Sequence, residues 1–176
     1  MKIKIETKRL ILRPITEADA EDFFELDSNP EVHTFLGNNP IKTLKESKAM
    51  IANILQQYKT NGIGRLALID KESNSFIGWS GLKYEVNLRK EFNYYDLGYR
   101  LKQKFWGKGY ATESALASLD YGFKDLKLKE ICSAANTKHI ASNTILKNIG
   151  MELSGTFEYD SSPHNWYTIK NPYLFK

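Results

Sequence analysis

The chain is poor in the residues that build cross-links and metal centres, with one cysteine and three histidines among 176 residues. A single thiol, Cys132, excludes an internal disulfide and any multi-cysteine metal site, and no metal is expected. Its setting, Glu130-Ile131-Cys132-Ser133-Ala134, reads as a buried strand, so Cys132 is expected to be structural rather than nucleophilic. No apolar run reaches the length of a membrane span. The opening Met1–Glu6 segment alternates lysine with isoleucine and has no signal-peptide core. A cytoplasmic location without membrane contact is therefore expected. No block of five like charges occurs, so there is no basic arm and DNA is not an expected partner. The net charge of +4, from 25 basic and 21 acidic residues, fits a lysine-rich solvated surface or a mild preference for an anionic ligand.

What is present suits a packed globule. Hydrophobic residues make up 41% of the chain, enough for one domain spanning 1–176 with a sizeable core. Arg9–Arg13 reads as a first strand. Thr16, with Asp19 near its positive end, opens a helix that Asn29-Pro30 terminates. Thr43-Leu44-Lys45-Glu46 is a capping box that starts a second helix running to about Tyr58. Arg65–Asp70 and Phe76–Tyr84 form an expected hairpin around Lys71–Ser75. A loop-led stretch, Glu85–Glu91, precedes a strand over Phe92–Leu101. Helical spacing over Lys108–Phe123 predicts burial of Leu116, Leu119 and Phe123. Lys129–Ala134 is the next strand, Ala141–Asn148 a short helix stopped by Gly150, and Met151–Tyr159 and Trp166–Phe175 closing strands. The order describes a mixed α+β chain with long antiparallel runs and one βαβ crossover.

The segment with most chemical content is Tyr94-Tyr95-Asp96-Leu97-Gly98-Tyr99-Arg100-Leu101-Lys102-Gln103-Lys104-Phe105-Trp106-Gly107-Lys108-Gly109-Tyr110-Ala111-Thr112-Glu113. It is a strand, a turn with two close glycines, then an amphipathic helix. A helix N-terminus carries about half a positive charge and N–H groups without intrahelical partners, so such a turn suits a phosphate. A Walker-type loop fails on spacing, because Gly107-Lys108 is followed by Gly109 rather than Ser or Thr. A dinucleotide fingerprint fails too, because the third glycine position is Thr112.

The same segment resembles the acyl-CoA-binding signature of the GNAT N-acetyltransferases, Gln/Arg-x-x-Gly-x-Gly/Ala, with Lys104 in the first place. Phe105–Glu113 is similar to the branch containing the RimJ and RimL ribosomal-protein acetyltransferases. Glu6–Pro14 with Asp19–Asp22 resembles that branch's opening strand and first helix. Ser142–Met151 resembles its late helix, with Met151 where the branch has phenylalanine. The resemblance implies a three-layer fold: a central, mostly antiparallel sheet, one splayed parallel strand pair, and helices on both faces. It implies acetyl-CoA as co-substrate, a primary amine as acceptor (a protein N-terminus or a small amine), and a homodimer as the common assembly. Splayed strands Tyr94–Leu101 and Lys129–Ala134 would hold the pantetheine arm through backbone groups near Tyr99 and Leu101. Amides of Phe105, Trp106, Gly107, Lys108, Gly109, Tyr110 and Ala111 would hold the diphosphate. Lys104 and Lys108 either add charge there or are solvated lysines, and Trp106 either covers the cofactor or anchors the core.

Proton handling is less directly transferred. Many relatives place a tyrosine four residues before the final Gly-Phe, and here that place is Leu146. The resemblance puts Ser142 in the place of the serine proposed to protonate the leaving thiolate, its plain alternative being a helix-cap residue. His139 stands where the branch often has asparagine, as a cofactor contact, a titratable group near the thioester, or a plain loop histidine. Asp96 is the candidate base, with Glu85 and Glu91 as rivals. Tyr84, Trp79, Phe35 and His33 are candidate walls of an amine pocket. Two other readings stay open: a non-catalytic acyl-CoA-binding domain on the same fold, and a nucleotide-binding protein using Gly107-x-Gly109.

Overall fold

Apolar residues at alternate positions of Leu10–Pro14, and the almost wholly apolar runs Leu66–Asp70 and Phe76–Glu85, build the left half of one continuous sheet. The structure, a computed structural model, describes residues 3–86, 88–89 and 91–174. Eight strands are ordered β1-β2-β3-β4-β5-β6-β8-β7. They are β1 (Ile5–Glu6), β2 (Leu10–Pro14), β3 (Leu66–Asp70), β4 (Phe76–Glu85), β5 (Tyr94–Leu101), β6 (Glu130–Asn136), β7 (Glu152–Tyr159) and β8 (Ser162–Lys170). Every neighbouring pair is antiparallel except β5–β6, which is parallel. The helices are α1 (Ala20–Asp27), α2 (Pro30–His33), α3 (Leu44–Asn61), α4 (Tyr110–Lys124) and α5 (Ile140–Asn148).

The layers follow from which side chains are buried together. Phe23 and Leu26 of α1 and Ile51 and Ile54 of α3 pack with Ala67, Ile69 and Phe76 on one sheet face. On the other face, Leu119 and Phe123 of α4 and Leu146 of α5 pack with Leu82, Leu97, Ile131 and Tyr167. Burying a Leu or Phe side chain contributes about 1.5–3 kcal/mol, so these contacts fix the three layers. The expected α+β architecture, with one parallel pair and helices on both faces, is what the chain adopts.

Several local expectations are corrected. Leu116 is 48% exposed, on the flank of α4 turned away from the sheet. The last strand begins at Ser162 rather than Trp166 and ends at Lys170; Phe175 lies outside the described residues. The first helix opens with a 3-10 turn, Glu17–Asp19, whose Asp19 carboxylate accepts the Thr16 N–H at 2.8 Å. Asn29-Pro30 ends α1 but also starts α2: Asn29 Oδ1 accepts the Glu31 N–H at 3.0 Å, and Pro30 occupies the first helical turn, where a missing N–H costs nothing. The capping box of α3 forms as expected, with Glu46 accepting the Thr43 N–H at 2.7 Å and Thr43 Oγ1 accepting the Glu46 N–H at 3.3 Å.

Candidate active site

β5 and β6 share a single ladder pair, Asp96 with Cys132. One residue further, the Ser133 hydroxyl donates to the Leu97 carbonyl at 2.8 Å. Beyond that the strands part. β5 stays with β4 as far as Leu101, and β6 stays with β8 as far as Asn136. The Leu97 carbonyl points toward β6, and the two-residue period of a strand turns the Tyr99 and Leu101 backbone the same way. The Leu101 carbonyl is taken by the Trp106 indole N–H at 2.8 Å, so the Tyr99 backbone is the part that faces the open fork.

The fork widens toward the glycine turn. Gly107 (φ +71) and Gly109 (φ +78) are both left-handed, a conformation that side chains with a Cβ adopt only under strain. Gly109 is the residue at the head of α4. Among the described residues, the N–H groups of Gly107, Lys108 and Gly109 have no hydrogen-bond partner. Arg9 holds the turn from behind. Its guanidinium donates to the Lys108 carbonyl at 2.8 Å and to Glu113 at 2.6 Å, and lies 4.4 Å from the Tyr110 ring centroid. Thr7 Oγ1 donates to the same Glu113 at 2.6 Å. Donor-rich backbone with positive helix-dipole potential fits a diphosphate. Phe105 and Ala111 pack beneath the turn with Leu101. Lys104 is drawn aside, its ammonium 2.9 Å from Glu25, while the Lys108 ammonium lies 5.5 Å from the Phe105 ring centroid. Trp106 remains 44% exposed.

Three predicted residues meet across the fork. The Tyr99 hydroxyl lies 3.1 Å from Ser142 Oγ and 3.2 Å from the Ser142 carbonyl. The Ser142 N–H donates to His139 Nδ1 at 3.0 Å, so His139 caps α5. Burial pushes the Tyr99 phenol up to about 12 and holds the His139 imidazole below its ordinary range. Tyr99 therefore stays protonated, and His139 is neutral with Nδ1 as acceptor. Leu146, in the place of the family tyrosine, is fully buried in the core and offers no proton.

Asp96 sits at the apex, on the α1/α3 face of the sheet, ion-paired with Arg65. Glu85, on the same face, pairs with Lys83, whereas Glu91 pairs with Arg89 at 3.2 Å. Cys132 is buried and its thiol is pushed up to about 12, as befits a structural residue. The expected amine walls divide. Trp79 lies on the α1/α3 face, with Arg100 5.1 Å from its ring centroid. Phe35 packs edge-on against His139, centroids 4.5 Å apart. His33 lies 3.4 Å from Asp27, which also holds Arg100. Tyr84 instead packs with Tyr95 toward the α4 face. An open concavity of about 850 Å³ lies between β1 and α4, behind the Thr7–Glu113 contact, lined also by Lys4, Glu6, Lys8 and Asp120.

Sequence reasoning missed Arg9, Glu113 and Arg65. The spacing Arg9…Glu113 carries no local signal, and only the fold brings the two together. Among the described residues no group of three His, Cys, Asp or Glu is placed to hold a metal ion, and no helix is long and apolar enough to cross a membrane.

Comparison with known proteins agrees with this geometry. Residues 9–152 match the family described as acetyltransferase (GNAT) domain. The uncharacterized N-acetyltransferase YoaA of Bacillus subtilis is 29% identical over 174 residues, covering 96% of this chain and 97% of its own. A GNAT-family acetyltransferase structure from Bacillus anthracis superposes with a TM-score of 0.80 at 23% identity, covering 96% of this chain and 99% of its own. RimL, a ribosomal L7/L12 alpha-N-protein acetyltransferase solved with coenzyme A, shares the fold with a TM-score of 0.79 at 16% identity, covering 96% and 98%. With the fork, the glycine turn and a family match over most of its length in agreement, this chain belongs to the GNAT acetyltransferases.

Proposed function

We propose that the protein transfers an acetyl group from acetyl-CoA to a primary amine, on the pattern of the RimJ/RimL branch. The observation that carries this reading is the β5–β6 fork, which opens from Asp96 and Cys132 toward the free amides of the Gly107–Gly109 turn. Acetyl-CoA supplies a thioester whose acetyl group an amine can accept. The Gly107, Lys108, Gly109, Tyr110 and Ala111 backbone, with Phe105 and Trp106 beside it, holds the diphosphate, and Lys108 lends charge at the rim, Lys104 being held by Glu25. The Tyr99 backbone aligns the pantetheine arm and polarises the carbonyl, the Leu101 carbonyl being taken by Trp106.

Asp96 takes the proton lost by the amine as the N–C bond forms. Ser142, oriented by Tyr99 and His139, returns a proton to sulfur as the C–S bond breaks. Positioning and carbonyl polarisation supply most of the acceleration, and proton handling typically adds ~10² to 10⁴. The RimL likeness favours a protein N-terminus as acceptor, spermidine and amino sugars being the small-amine alternative.

Calorimetric titration with acetyl-CoA, ATP and NAD tests the donor site, and release of free CoA with a serine-led peptide, spermidine and glucosamine tests transfer. Acetyl-CoA binding with turnover of one amine is expected. Tight ATP binding without acetyl-CoA binding overturns the reading. Acetyl-CoA binding with no turnover of any amine leaves a binding domain.

A further inference from the structure

Arg65, the ion-pair partner of Asp96, is a buried cation placed where the acyl-transfer chemistry is read. It immediately precedes β3, is 8% exposed, and reaches across two strands. One guanidinium nitrogen, Nη1, donates to the Asp96 carbonyl at 2.6 Å and to the Gly81 carbonyl. The other, Nη2, donates to Asp96 Oδ2. The plane lies over the Trp79 ring, 5.4 Å from its centroid, and the Tyr58 hydroxyl donates to the Arg65 carbonyl from behind. The strand is shaped for this side chain: a Cβ on Gly98 would sit 2.6 Å from Nη2 and 2.8 Å from Cζ, and its three nearest atoms all belong to Arg65. Asp96 is also the last residue of β5 paired with β6.

We propose that Arg65 is the positioning residue of the acyl-transfer site, fastening β5 to β4 where β6 departs and holding one oxygen of Asp96 so that the other is offered to the fork. The inference rests on the acyl-transfer reading above and adds to it a residue that touches neither donor nor acceptor. Five charged or titratable groups face Asp96: Arg65, Lys83 and Glu85, Tyr94 on its own strand, and Cys132 on β6. Burial pushes the Asp96 carboxyl upward, Glu85 adds to that, and Arg65 and Lys83 oppose it. Without Arg65, burial is opposed by Lys83 alone, so the carboxyl rises further.

The test follows the Asp96 carboxyl by carbon-13 NMR titration, its signal assigned through Asp96→Asn. In parallel it records the pH profile of acetyl transfer to a peptide with a free N-terminal serine. Arg65→Met is expected to raise the midpoint and the acid limb of the profile by roughly 1–3 pH units. Gly98→Ala keeps the charge but displaces the guanidinium, and is expected to lower kcat about tenfold with little change in KM for acetyl-CoA. Methylguanidinium added to Arg65→Ala is expected to restore part of the lost rate. A variant that melts earlier while midpoint and limb stay put overturns the proposal and leaves Arg65 a structural tie. An unchanged profile in Asp96→Asn removes the base role, and the proposal with it, while acetyl transfer stands. Failure of the unmodified protein to acetylate peptide or spermidine counts against the acyl-transfer reading alone, and the NMR midpoint still decides whether Arg65 governs Asp96.

Discussion

Individual residues of the site were legible where the backbone itself leaves a mark. Gly107 and Gly109 both take positive φ, which glycine meets at no steric cost and most other residues only under strain, so the turn is visible from the sequence. Placing a β-branched residue there brings both strain and bulk to the donor cradle. Gly109→Val is expected to weaken acetyl-CoA binding about tenfold or more, roughly 1.4 kcal/mol, measured by calorimetry on protein whose circular dichroism is unchanged. Charged residues were far less legible, because the partner that decides their role is remote in sequence. Lys104 reads as either a phosphate contact or a solvated lysine until Glu25, 79 residues earlier, takes its ammonium. Asp96 reads as a free base until Arg65, 31 residues earlier, binds it. Ser142 and His139 lie together because they share one helix start. Their link to the Tyr99 hydroxyl needed the fold.

At the scale of elements, helices with a capping signal were read well and turns without glycine were not. The Thr43–Glu46 box marks the start of α3 because both partners lie within one turn. Thr43→Ala is expected to cost about 1 kcal/mol and to lower the melting temperature by roughly 2–4 °C, checked by calorimetric melting. The β7–β8 hairpin was set too late by sequence because its turn residues, Asp160 (φ 49) and Ser161 (φ 56), adopt left-handed conformations usually marked by glycine or asparagine. Tyr159 therefore pairs with Ser162, and the strand starts four residues before Trp166. The miss at Leu116 has a similar origin. Its helical spacing from Leu119 is sound, but α4 meets the sheet along a stripe of small residues, Ala111, Ser114, Ala115 and Ser118, and that stripe leaves Leu116 outside.

At the scale of the whole molecule, two histidines, His33 buried and His139 half-buried, tie stability to pH. Burial lowers both His33 and His139, and Arg100 lowers His33 further. Their folded values lie below the unfolded value of about 6.5, so the unfolded chain binds more protons below that pH. Their contribution is full above about 6.5 and is lost as pH falls through the folded values. Asp96, shifted upward, gives the opposite slope over its own window. His139→Ser keeps an acceptor for the Ser142 N–H without the titration. Urea midpoints at pH 7.5 and 5.5 are expected to converge in that variant relative to the unmodified protein, and an identical pH dependence in the two would refute the assignment. The fork has a larger consequence. Strands β1 to β5 and strands β6 to β8 form two plates joined at one rung, with α4 and α5 bridging them on a single side. On the proposed reading, a coenzyme seated in that notch would touch both plates and act as a keystone as well as a reactant, so the substrate itself would complete the architecture that handles it.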